Sequence, residues 1–297
     1  MFGIKTRVKN FFKMIITKRF ITAKFKNAIK ISDNVILYDS KKLCDKKIAI
    51  HIHVFYTDLL DEIFTHLVNI QNKFTLFLTT TTEKNVRIIE AFFNKNVHSH
   101  FEVKIILVEN RGRDIYPFYQ ALKPFYNNYE IIGHLHTKKS LHSSRGDMWR
   151  QYLFNNLFGK SYFFDNLVDY LEKNKDVGFV VPPPMNMEGL PSIYLSFLNN
   201  TPDFKENISK TLHKFNQDSD KLLYSSEKNL DFPCGNMFIA KTEAIKQFFE
   251  KDLVRDDFPE EAGQLAHTLQ HYVESIWIYF VLANGFKYVE ILNSGNK

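Results

Sequence analysis

The chain has 297 residues and a formal net charge of +6, and 44% of its residues are apolar while 24% are charged. These values are typical of a globular protein with a sizeable core, and the length suits one large α/β domain or two small ones. No stretch approaches the ~20 apolar residues of a membrane span. The two cysteines, Cys44 and Cys234, lie far apart, which excludes a disulfide framework and fits a reducing cytosol.

The positive charge is concentrated at the start of the chain. Residues 1–30 contain no acidic residue and nine basic ones, namely Lys5, Arg7, Lys9, Lys13, Lys18, Arg19, Lys24, Lys26 and Lys30. Subtracting these nine charges from the net +6 leaves −3 for the remaining residues. A slightly acidic domain argues against a nucleic-acid groove, so nucleic acid is not an expected partner.

The basic leader, residues 1–46, begins with the pattern of an amphipathic helix. Its basic side chains lie mostly off an apolar stripe that consists of Ile4, Val8, Phe11, Phe12, Ile15, Ile16 and Phe20. Such a helix can lie in a membrane interface with its cations on anionic headgroups. The alternatives are a helix packed on its own domain, a disordered segment, or contact with another partner.

From residue 47 onward, strands and helices alternate. The patterns predict strands at 47–55, 74–81, 103–108, 129–136, 177–181 and 236–240. They predict helices at 59–71, 84–94, 115–126, 148–158, 162–174, 242–251 and 259–283. Thr57 or Asp58 is expected to cap the first helix, and Asp114 the third. The alternation predicts an α/β domain over residues 47–297, with a mostly parallel sheet flanked by helices and a loop-rich insertion at 185–230.

The segment Asn110–Asp114 (NRGRD) leaves a predicted strand and enters a predicted helix. Ligands of open α/β sheets bind at this end of the strands. Gly112 permits an unusual backbone turn, and N–H groups at a helix start favour anions. Arg111 and Arg113 suit a diphosphate because a guanidinium binds phosphate oxygens bidentately. The alternative is a capped surface turn with solvated arginines.

The segment His134–Ser140 (HLHTKKS) ends the fourth predicted strand. His134 and His136 share one face of that strand because side chains alternate. Lys138 and Lys139 follow, where their charges would neutralise a leaving nucleotide diphosphate. The alternative is a pair of core histidines whose hydrogen bonds are satisfied.

His51 and His53 also share one face, that of the first predicted strand, and Phe55 and Tyr56 follow them. A nucleotide base stacked on either aromatic ring is one interpretation, and an ordinary polar strand face explains the pattern at least as well. Later in the chain, Gly235 in the segment FPCGNMF indicates a close approach of the backbone to a ligand.

Residues 256–274 (DDFPEEAGQLAHTLQHYVE) concentrate acid–base groups on the predicted final helix. Helical spacing would place the following residues on one face of this helix: Glu260, Glu261, Gln264, His267, His271 and Glu274. A carboxylate at the helix start could deprotonate an acceptor hydroxyl. A metal on the two histidines is a weak alternative because the HExxH pattern is missing, and a solvated helix face is another.

Taken together, these segments resemble the rhamnan synthesis protein F family. The matching stretches are IAIHIHVFYTDLLDEI, ENRGRDIYPFYQAL, YEIIGHLHTKKSLHSSRGDMWRQYLFNNLFG, VGFVVPPP, FPCGNMFIAKTEAI and DFPEEAGQLAHTLQHYVE, which cover roughly residues 47–275. The matching positions are His51, His53, Tyr56, Asn110, Arg111, Gly112, Arg113, Asp114, His136, Thr137, Lys138, Lys139, His142, Trp149, Arg150, Gly235, Glu261, Gln264, His271 and Glu274.

The resemblance implies a glycosyltransferase in rhamnose-containing cell-wall polysaccharide or O-antigen assembly, with a GT-A-like nucleotide-sugar transferase fold. It implies a donor such as dTDP-rhamnose and a lipid-linked glycan acceptor, which the leader helix would approach at the inner, cytoplasmic face of the bacterial plasma membrane. Two positions depart from the family, because Ala266 replaces an acidic residue and His267 replaces Gly. No Asp-x-Asp follows the HLHTKKS segment, so a requirement for Mg²⁺ or Mn²⁺ stays open.

On this basis we expect a donor site made of His53, Tyr56, Arg111, Gly112, Arg113, Asp114, His136, Lys138 and Lys139. Glu261 is the expected general base, followed by Glu260 and His271, and the acceptor or sugar pocket is expected to contain Trp149, Arg150, Gly235 and Gln264. A non-catalytic scaffold subunit of a polysaccharide-assembly complex is the second interpretation. A metal-dependent hydrolase is the third, and it requires convergence of His134, His136, His267 and His271.

Overall fold

A computed structural model describes residues 29–32, 43–137, 139, 144–183, 202–217, 232–233, 235–263 and 267–293 of the chain. These residues form one eight-stranded sheet. Its strands are β1 (Ile29–Ser32), β2 (Ile48–His53), β3 (Phe74–Thr80), β4 (Phe101–Leu107), β5 (Ile131–His136), β6 (Val177–Val181), β7 (Phe238–Lys241) and β8 (Lys287–Leu292).

The strands lie in the order β1-β8-β6-β7-β5-β2-β3-β4. All neighbouring strands are parallel except that β7 runs antiparallel to both β5 and β6. The predicted mostly parallel sheet is therefore confirmed. Because β7 is reversed, it begins at the edge where the parallel strands end, and we call this edge the carboxyl edge.

Helices cover both faces of the sheet, as predicted. They are α1 (Leu60–Leu67), α2 (Glu83–Lys95), α3 (Ile115–Leu122), α4 (Ser144–Leu157), α5 (Phe163–Lys173), α6 (Pro202–Lys214), α7 (Thr242–Glu250) and α8 (Leu269–Ala283). One core lies between the sheet and α1, α2, α4 and α5, and the other lies under α3, α6, α7 and α8. Neighbouring strand residues lie in opposite cores because side chains alternate along a strand. Leu78 packs in the core under α1, α2, α4 and α5, and Phe77 packs in the core under α3, α6, α7 and α8. None of these described helices is long and apolar enough to cross a membrane.

The final helix begins at Leu269, so the predicted start at Pro259 was wrong. Glu260 pairs instead with Arg111 as an isolated antiparallel bridge. Gly263 and His267 have positive φ angles of 80° and 67°, which a continuous right-handed helix does not admit. The two expected carboxylates therefore precede the helix and share no helical face with the histidines.

Helix α1 ends at Leu67, before the predicted end at Gln71. The backbone N–H groups of Gln71 and Asn72 donate hydrogen bonds to the carboxylate of Asp165 on α5. These bonds direct the chain away from the helix axis and hold the start of β3 against α5.

The leader and the insertion each contain an element that the sequence did not predict. Within residues 1–46, β1 pairs in parallel with β8, from Ile29 opposite Val289 onward. The predicted amphipathic helix lies outside the described residues. Within 185–230, where loops were expected, α6 forms and buries Ile208 and Leu212 four residues apart, as helical packing requires. Residues 184–201 and 218–231 also lie outside the described residues.

Candidate functional site

The candidate site lies at the carboxyl edge, where β2, β5 and β7 are neighbours. His53 and His136 are the last residues of β2 and β5, and they face each other in the strand register. Nε2 of His136 donates a hydrogen bond to the carbonyl oxygen of Gly235, just before β7, at 2.9 Å. The reversed direction of β7 thus brings the FPCGNMF segment to the end of the HLHTKKS strand.

Asp114 is buried at this edge, with 6% of its surface exposed. It occupies the N-cap position of α3 as predicted, but its side chain makes no capping hydrogen bond to that helix. Its Oδ2 atom lies 3.0 Å from Nε2 of His134 and also accepts a hydrogen bond from Nδ2 of Asn236. Burial opposes ionisation of Asp114, but nearby His136 and the hydrogen bonds from His134 and Asn236 hold its pKa well below its usual range. The side chain is therefore a buried anion.

Asn236 is oriented by a residue of the final helix. Nε1 of Trp277 donates to Oδ1 of Asn236 at 2.8 Å, which leaves the amide nitrogen to donate to Asp114. Asn236 also has a positive φ of 51°, a conformation that Asn adopts more readily than most residues. The local backbone and the buried indole therefore both favour this position of the amide.

Five buried side chains form a continuous line of hydrogen bonds, and we call Asp114, His134, His51, Thr79 and His53 the histidine chain. After the Asp114–His134 contact, Nδ1 of His134 lies 3.0 Å from Nδ1 of His51. Nε2 of His51 lies 3.0 Å from Oγ1 of Thr79, and Nδ1 of His53 lies 2.9 Å from the same oxygen. Each of the five is at most 6% exposed.

Strand register explains why these side chains meet. His51 lies opposite His134 on β5, and His53 lies opposite Thr79 on β3. Their face of the sheet is covered by α3, whose Phe118 ring centroid lies 4.3 Å from that of His134. Burial lowers the pKa of His51 well below its usual value and lowers that of His53 to about 4. Both rings are therefore neutral at pH 7.

Lys139 lies at the end of β5, beside two residues that follow β2. Its Nζ atom forms an ion pair with Asp58 and lies 5.3 Å from the ring centroid of Tyr56. Thr57 and Asp58 belong to a 3-10 turn and neither caps α1, so that prediction was wrong. Oγ1 of Thr137 accepts a hydrogen bond from the Tyr56 N–H at 3.1 Å and fixes this turn to β5.

The NRGRD turn has the unusual backbone that Gly112 predicted. Gly112 and Arg113 have positive φ angles of 65° and 54°. A Cβ atom on Gly112 would lie 2.6 Å from Cβ of Tyr116 and 2.7 Å from Cδ1 of Phe258. Close packing of the backbone against these two side chains therefore requires glycine here.

Arg111 connects this turn to the segment that precedes α8. Its side chain is 11% exposed. Its guanidinium donates to the carbonyl of Phe258 at 2.9 Å, to Oε1 of Glu260 at 2.6 Å and to Oε2 of Glu109 at 3.2 Å. These contacts give Arg111 a structural position between two segments, each of which carries candidate site residues.

Arg113 lies beside the carboxylate that was expected to act as the base. Its Nε atom is 3.7 Å from Oε2 of Glu261, and the two side chains are 33% and 17% exposed. Oε1 of Glu261 accepts a hydrogen bond from Nε2 of Gln270 at 3.1 Å. His271 lies 2.6 Å from the hydroxyl of Thr268, and burial together with nearby Arg113 lowers its pKa to about 4.

Two of the expected pocket residues, Gly235 and Trp149, lie side by side. A Cβ atom on Gly235, whose φ is 84°, would lie 3.3 Å from Nε1 of Trp149 and 2.7 Å from Cδ1 of Leu153. The close backbone approach that Gly235 indicated is therefore made to helix α4. Because His136 bonds to Gly235, the indole of Trp149 lies near the ends of β5 and β7.

Arg150, another expected pocket residue, is 4% exposed. Its Nε and Nη2 atoms donate to the two carboxylate oxygens of Glu62 on α1, each at 2.9 Å, and its Nη1 atom donates to Asp147 at 2.6 Å. This bidentate contact joins α4 to α1. The structure therefore places the guanidinium between helices.

Three matching positions, Lys138, His142 and Gln264, lie outside the described residues. Within the described parts of the chain, no group of three or more His, Cys, Asp or Glu side chains could hold a metal ion. The four histidines that a metal hydrolase would require do not form such a group.

The sequence did not single out several residues that organise the site. Asn236 and Thr79 had only weak signals, a tight turn before β7 and a run of threonines at the end of β3. Trp277 lies in an apolar helix and Gln270 in its first turn, and neither stands out by type or spacing. Their roles depend on contacts between elements far apart in the chain, which periodicity does not reveal.

The family of the chain follows from a match over nearly its full length. Residues 5–286 match the rhamnan synthesis protein F family. The chain belongs to that family. That family is named for rhamnan synthesis, and the matched range contains every described strand of the sheet except β8, which begins at Lys287.

This member of the rhamnan synthesis protein F family is also similar to two proteins named "Uncharacterized protein WxcX" from two strains of Xanthomonas campestris pv. campestris, one of them strain B100. Each is 26% identical over 234 residues, which are 78% of this chain and 31% of the relative. The chain thus spans about a third of the length of these curated relatives.

Proposed function

We propose that the chain is a glycosyltransferase that transfers a sugar, with rhamnose as the first candidate, from a nucleotide-sugar donor to a growing cell-surface polysaccharide or O-antigen. One observation carries this proposal. The NRGRD turn, the end of the HLHTKKS strand and Glu261 converge at the carboxyl edge, where open α/β sheets bind ligands. The mostly parallel sheet with helices on both faces suits a GT-A-like architecture, which we propose for it.

Arg113 and Lys139 are proposed to bind the donor diphosphate, together with Lys138. In the described structure they pair with Glu261 and Asp58. A diphosphate carries more charge than one carboxylate and accepts several charge-assisted hydrogen bonds, so it can displace these partners. Arg111 would contribute by holding the turn, with Gly112 and Asp114 setting its shape and His53, Tyr56 and His136 beside the donor.

Glu261 remains our first choice for the group that takes the proton of the acceptor hydroxyl, with Glu260 and His271 behind it. Its two oxygens face Arg113 and Gln270. Movement of Arg113 toward a bound diphosphate would release one oxygen for the acceptor, which would couple donor binding to base catalysis. We expect Glu261→Gln to fold normally and to lose turnover. Near wild-type turnover in that variant would remove Glu261 from the mechanism.

The acceptor is proposed to be a lipid-linked glycan, with its sugar near Trp149, Gly235 and Gln264. The basic leader is proposed to hold the enzyme at the inner face of the plasma membrane. Arg150 would act by holding α4, which carries Trp149, against α1.

A non-catalytic binding subunit is the second candidate function. It is favoured by the carboxylate partners that Arg111, Arg113 and Lys139 already have. Such a subunit would bind a nucleotide-sugar or glycan without turnover.

The first test is calorimetric titration of the protein with a panel of nucleotide-sugars, dTDP-rhamnose included, with and without Mn²⁺. We expect saturable binding that Arg113→Ala weakens at least tenfold. Lys95→Ala is the matched control, because Lys95 is an exposed cation in the last turn of α2. Binding without transfer to a glycan acceptor would support the second candidate, and absence of binding to every donor would contradict the donor site.

A further inference from the structure

The histidine chain contains four hydrogen bonds in series, so the proton positions of its members constrain one another. The Thr79 hydroxyl has one proton and two histidine partners, so it donates to one ring and accepts from the other. Of the two Nδ1 atoms of His51 and His134, which lie 3.0 Å apart, one carries the shared proton. The position of the proton at one end of the histidine chain therefore sets the tautomer of every ring in it.

The ionised carboxylate of Asp114 determines where these protons lie. Nε2 of His134 lies 3.0 Å from this carboxylate and 3.2 Å from Nδ2 of Asn236. Because the Asn236 amide already donates to Asp114, the Nε2 proton of His134 can point to the carboxylate as well, and Nδ1 of that ring is then an acceptor. His51 then donates from Nδ1 and accepts from Thr79 at Nε2, and Thr79 accepts from Nδ1 of His53. Each of the four hydrogen bonds of the line has one donor and one acceptor in this arrangement.

The line ends at the carboxyl edge in an unprotonated nitrogen. His53 is the last residue of β2 and is 6% exposed. Its Nδ1 atom is bonded to Thr79, and its Nε2 atom has no hydrogen-bond partner among the residues that the structure describes. This atom is a hydrogen-bond acceptor on the edge at which we place the ligand.

We propose that the histidine chain is a proton relay that accepts a proton at Nε2 of His53 and holds the resulting charge on His134 beside Asp114. The step balances as three internal transfers. As a proton binds Nε2 of His53, the Nδ1 proton of that ring passes to Oγ1 of Thr79, and the hydroxyl proton passes to Nε2 of His51. The Nδ1 proton of His51 then passes to Nδ1 of His134, which becomes an imidazolium, and no electrons are exchanged.

Electrostatics favours His134 as the ring that holds the added charge. His134 is the one ring of the three that contacts the Asp114 carboxylate, at 3.0 Å, and opposite charges attract strongly at that distance in a buried site. A proton kept on His53 or His51 would place a charge in a buried position without a carboxylate partner. Phe118 packs against the rings of both His51 and His134, and it shields the middle of the relay from bulk water.

The use of the relay rests on the proposed function. A hydroxyl of a ligand at the carboxyl edge would release its proton to His53, which gives the proton a second route beside Glu261. Thr79 and His51 would then be positioning residues, because they would act through His53 without touching the ligand.

The relay itself is tested without any ligand, by nitrogen NMR of the full chain labelled with ¹⁵N in its histidine rings. At pH 7.5 we expect His53 and His51 to carry their protons on Nδ1, and His134 to carry its proton on Nε2. When acid adds one proton to the histidine chain, His53 and His51 should both switch to Nε2 protonation in the same transition. In Thr79→Val, which removes the central hydroxyl, His53 should no longer follow, whereas Thr79→Ser should restore the switch.

Two NMR outcomes would overturn the relay. In one, His53 keeps its Nδ1 proton while His134 is doubly protonated, and in the other, His53 itself becomes the imidazolium. Thermal melting checks that each variant folds, and since no donor is present, these outcomes are independent of glycosyl transfer.

The catalytic use of the relay is tested once transfer is measurable. Thr79→Val should lower kcat by roughly two- to tenfold, less than the full contribution of a general base because Glu261 remains as the other route, while the donor KM stays within twofold. Thr79→Ser should retain most of kcat. A tautomer switch in the NMR experiment with unchanged kcat in Thr79→Val would show that the relay does not serve the reaction.

Discussion

Nη2 of Arg111 lies 2.6 Å from Oε1 of Glu260, and the backbones of the same two residues pair as an antiparallel bridge. The contact joins segments that are 149 residues apart in the chain. It holds the NRGRD turn against the acidic segment before α8, so a predicted anion-binding loop and a predicted base meet through an ion pair. Arg111 and Arg113, two residues apart, therefore have different surroundings and should behave differently when replaced.

Replacement of Arg111 should reduce stability, whereas replacement of Arg113 should reduce donor binding. Arg111→Gln removes hydrogen bonds from a nearly buried guanidinium to Phe258 and Glu260, so we expect a loss of roughly 2 kcal/mol in the free energy of unfolding. Arg113→Gln loses a looser, one-third exposed ion pair and should cost about 0.5 kcal/mol. Urea unfolding measures both. The reverse order of the two losses would contradict the structural role of Arg111.

Gly112 should tolerate alanine poorly because its backbone conformation and its neighbours both oppose a side chain. A Cβ atom there would lie 2.6 Å from Cβ of Tyr116, at a φ of 65°. We expect Gly112→Ala to cost about 2–4 kcal/mol, from left-handed strain and overpacking together. Gly263→Ala is the matched control, because its φ is 80° and no atom of the described residues lies within 4 Å of the added Cβ, so only about 1 kcal/mol should be lost. Equal losses would show that packing contributes nothing at Gly112.

Much of the fold was readable from the sequence because its signals are local. Period-2 alternation and apolar runs located β2 to β7, and their alternation with helical patterns predicted the mostly parallel sheet. The start of α8 was misjudged for an equally local reason. Pro259 followed by two glutamates is typical of a helix start, but pairing of Glu260 with Arg111 outweighs that preference.

The separate motifs of the site can be predicted from the sequence, but the contacts between them cannot. NRGRD, HLHTKKS and FPCGNMF were recognised as separate segments, and the carboxyl-edge rule placed the first two together. The reversal of β7, which brings Asn236 to Asp114, depends on long-range pairing. Likewise, the register that places His51 opposite His134 is set by the whole sheet, so neither the histidine chain nor the indole of Trp277 could be inferred from spacing.

The ion pair between Arg150 and Glu62 should contribute measurably to stability. Glu62→Gln keeps the shape of the side chain but removes the charge that accepts two hydrogen bonds from a buried guanidinium. We expect a loss of roughly 2 kcal/mol in the free energy of unfolding. Glu243→Gln is the control, because it breaks an exposed pair with Lys246 and should cost less than about 0.5 kcal/mol. Equal small losses in both variants would mean that the buried pair does not stabilise the contact between α4 and α1.

Stability should fall as the pH decreases from about 6.5 to about 4, because His53 and His271 both have pKa values lowered to about 4 in the folded chain. In the unfolded chain a histidine titrates near 6.5, so in this window the unfolded state binds protons that the folded state does not. The sign therefore favours unfolding as acid is added, by about 1.4 kcal/mol per pH unit for each such histidine. Asp114 affects stability at lower pH. Its pKa is depressed in the folded chain, so it adds stability that is lost only as the pH falls below about 3.9.

His271 allows this pH dependence to be assigned to one residue. Its Nε2 atom is buried without a hydrogen-bond partner among the described residues, so protonation there gains nothing in the folded state. Urea unfolding of His271→Gln between pH 7 and 4.5 should show a slope smaller by about 1.4 kcal/mol per pH unit. The control His213→Gln replaces an exposed histidine on α6, so it measures the effect of exchanging a surface imidazole for an amide. A wild-type slope in His271→Gln would mean that this imidazole titrates alike in the folded and unfolded chains, and the burial beside Arg113 would then not disfavour its charge.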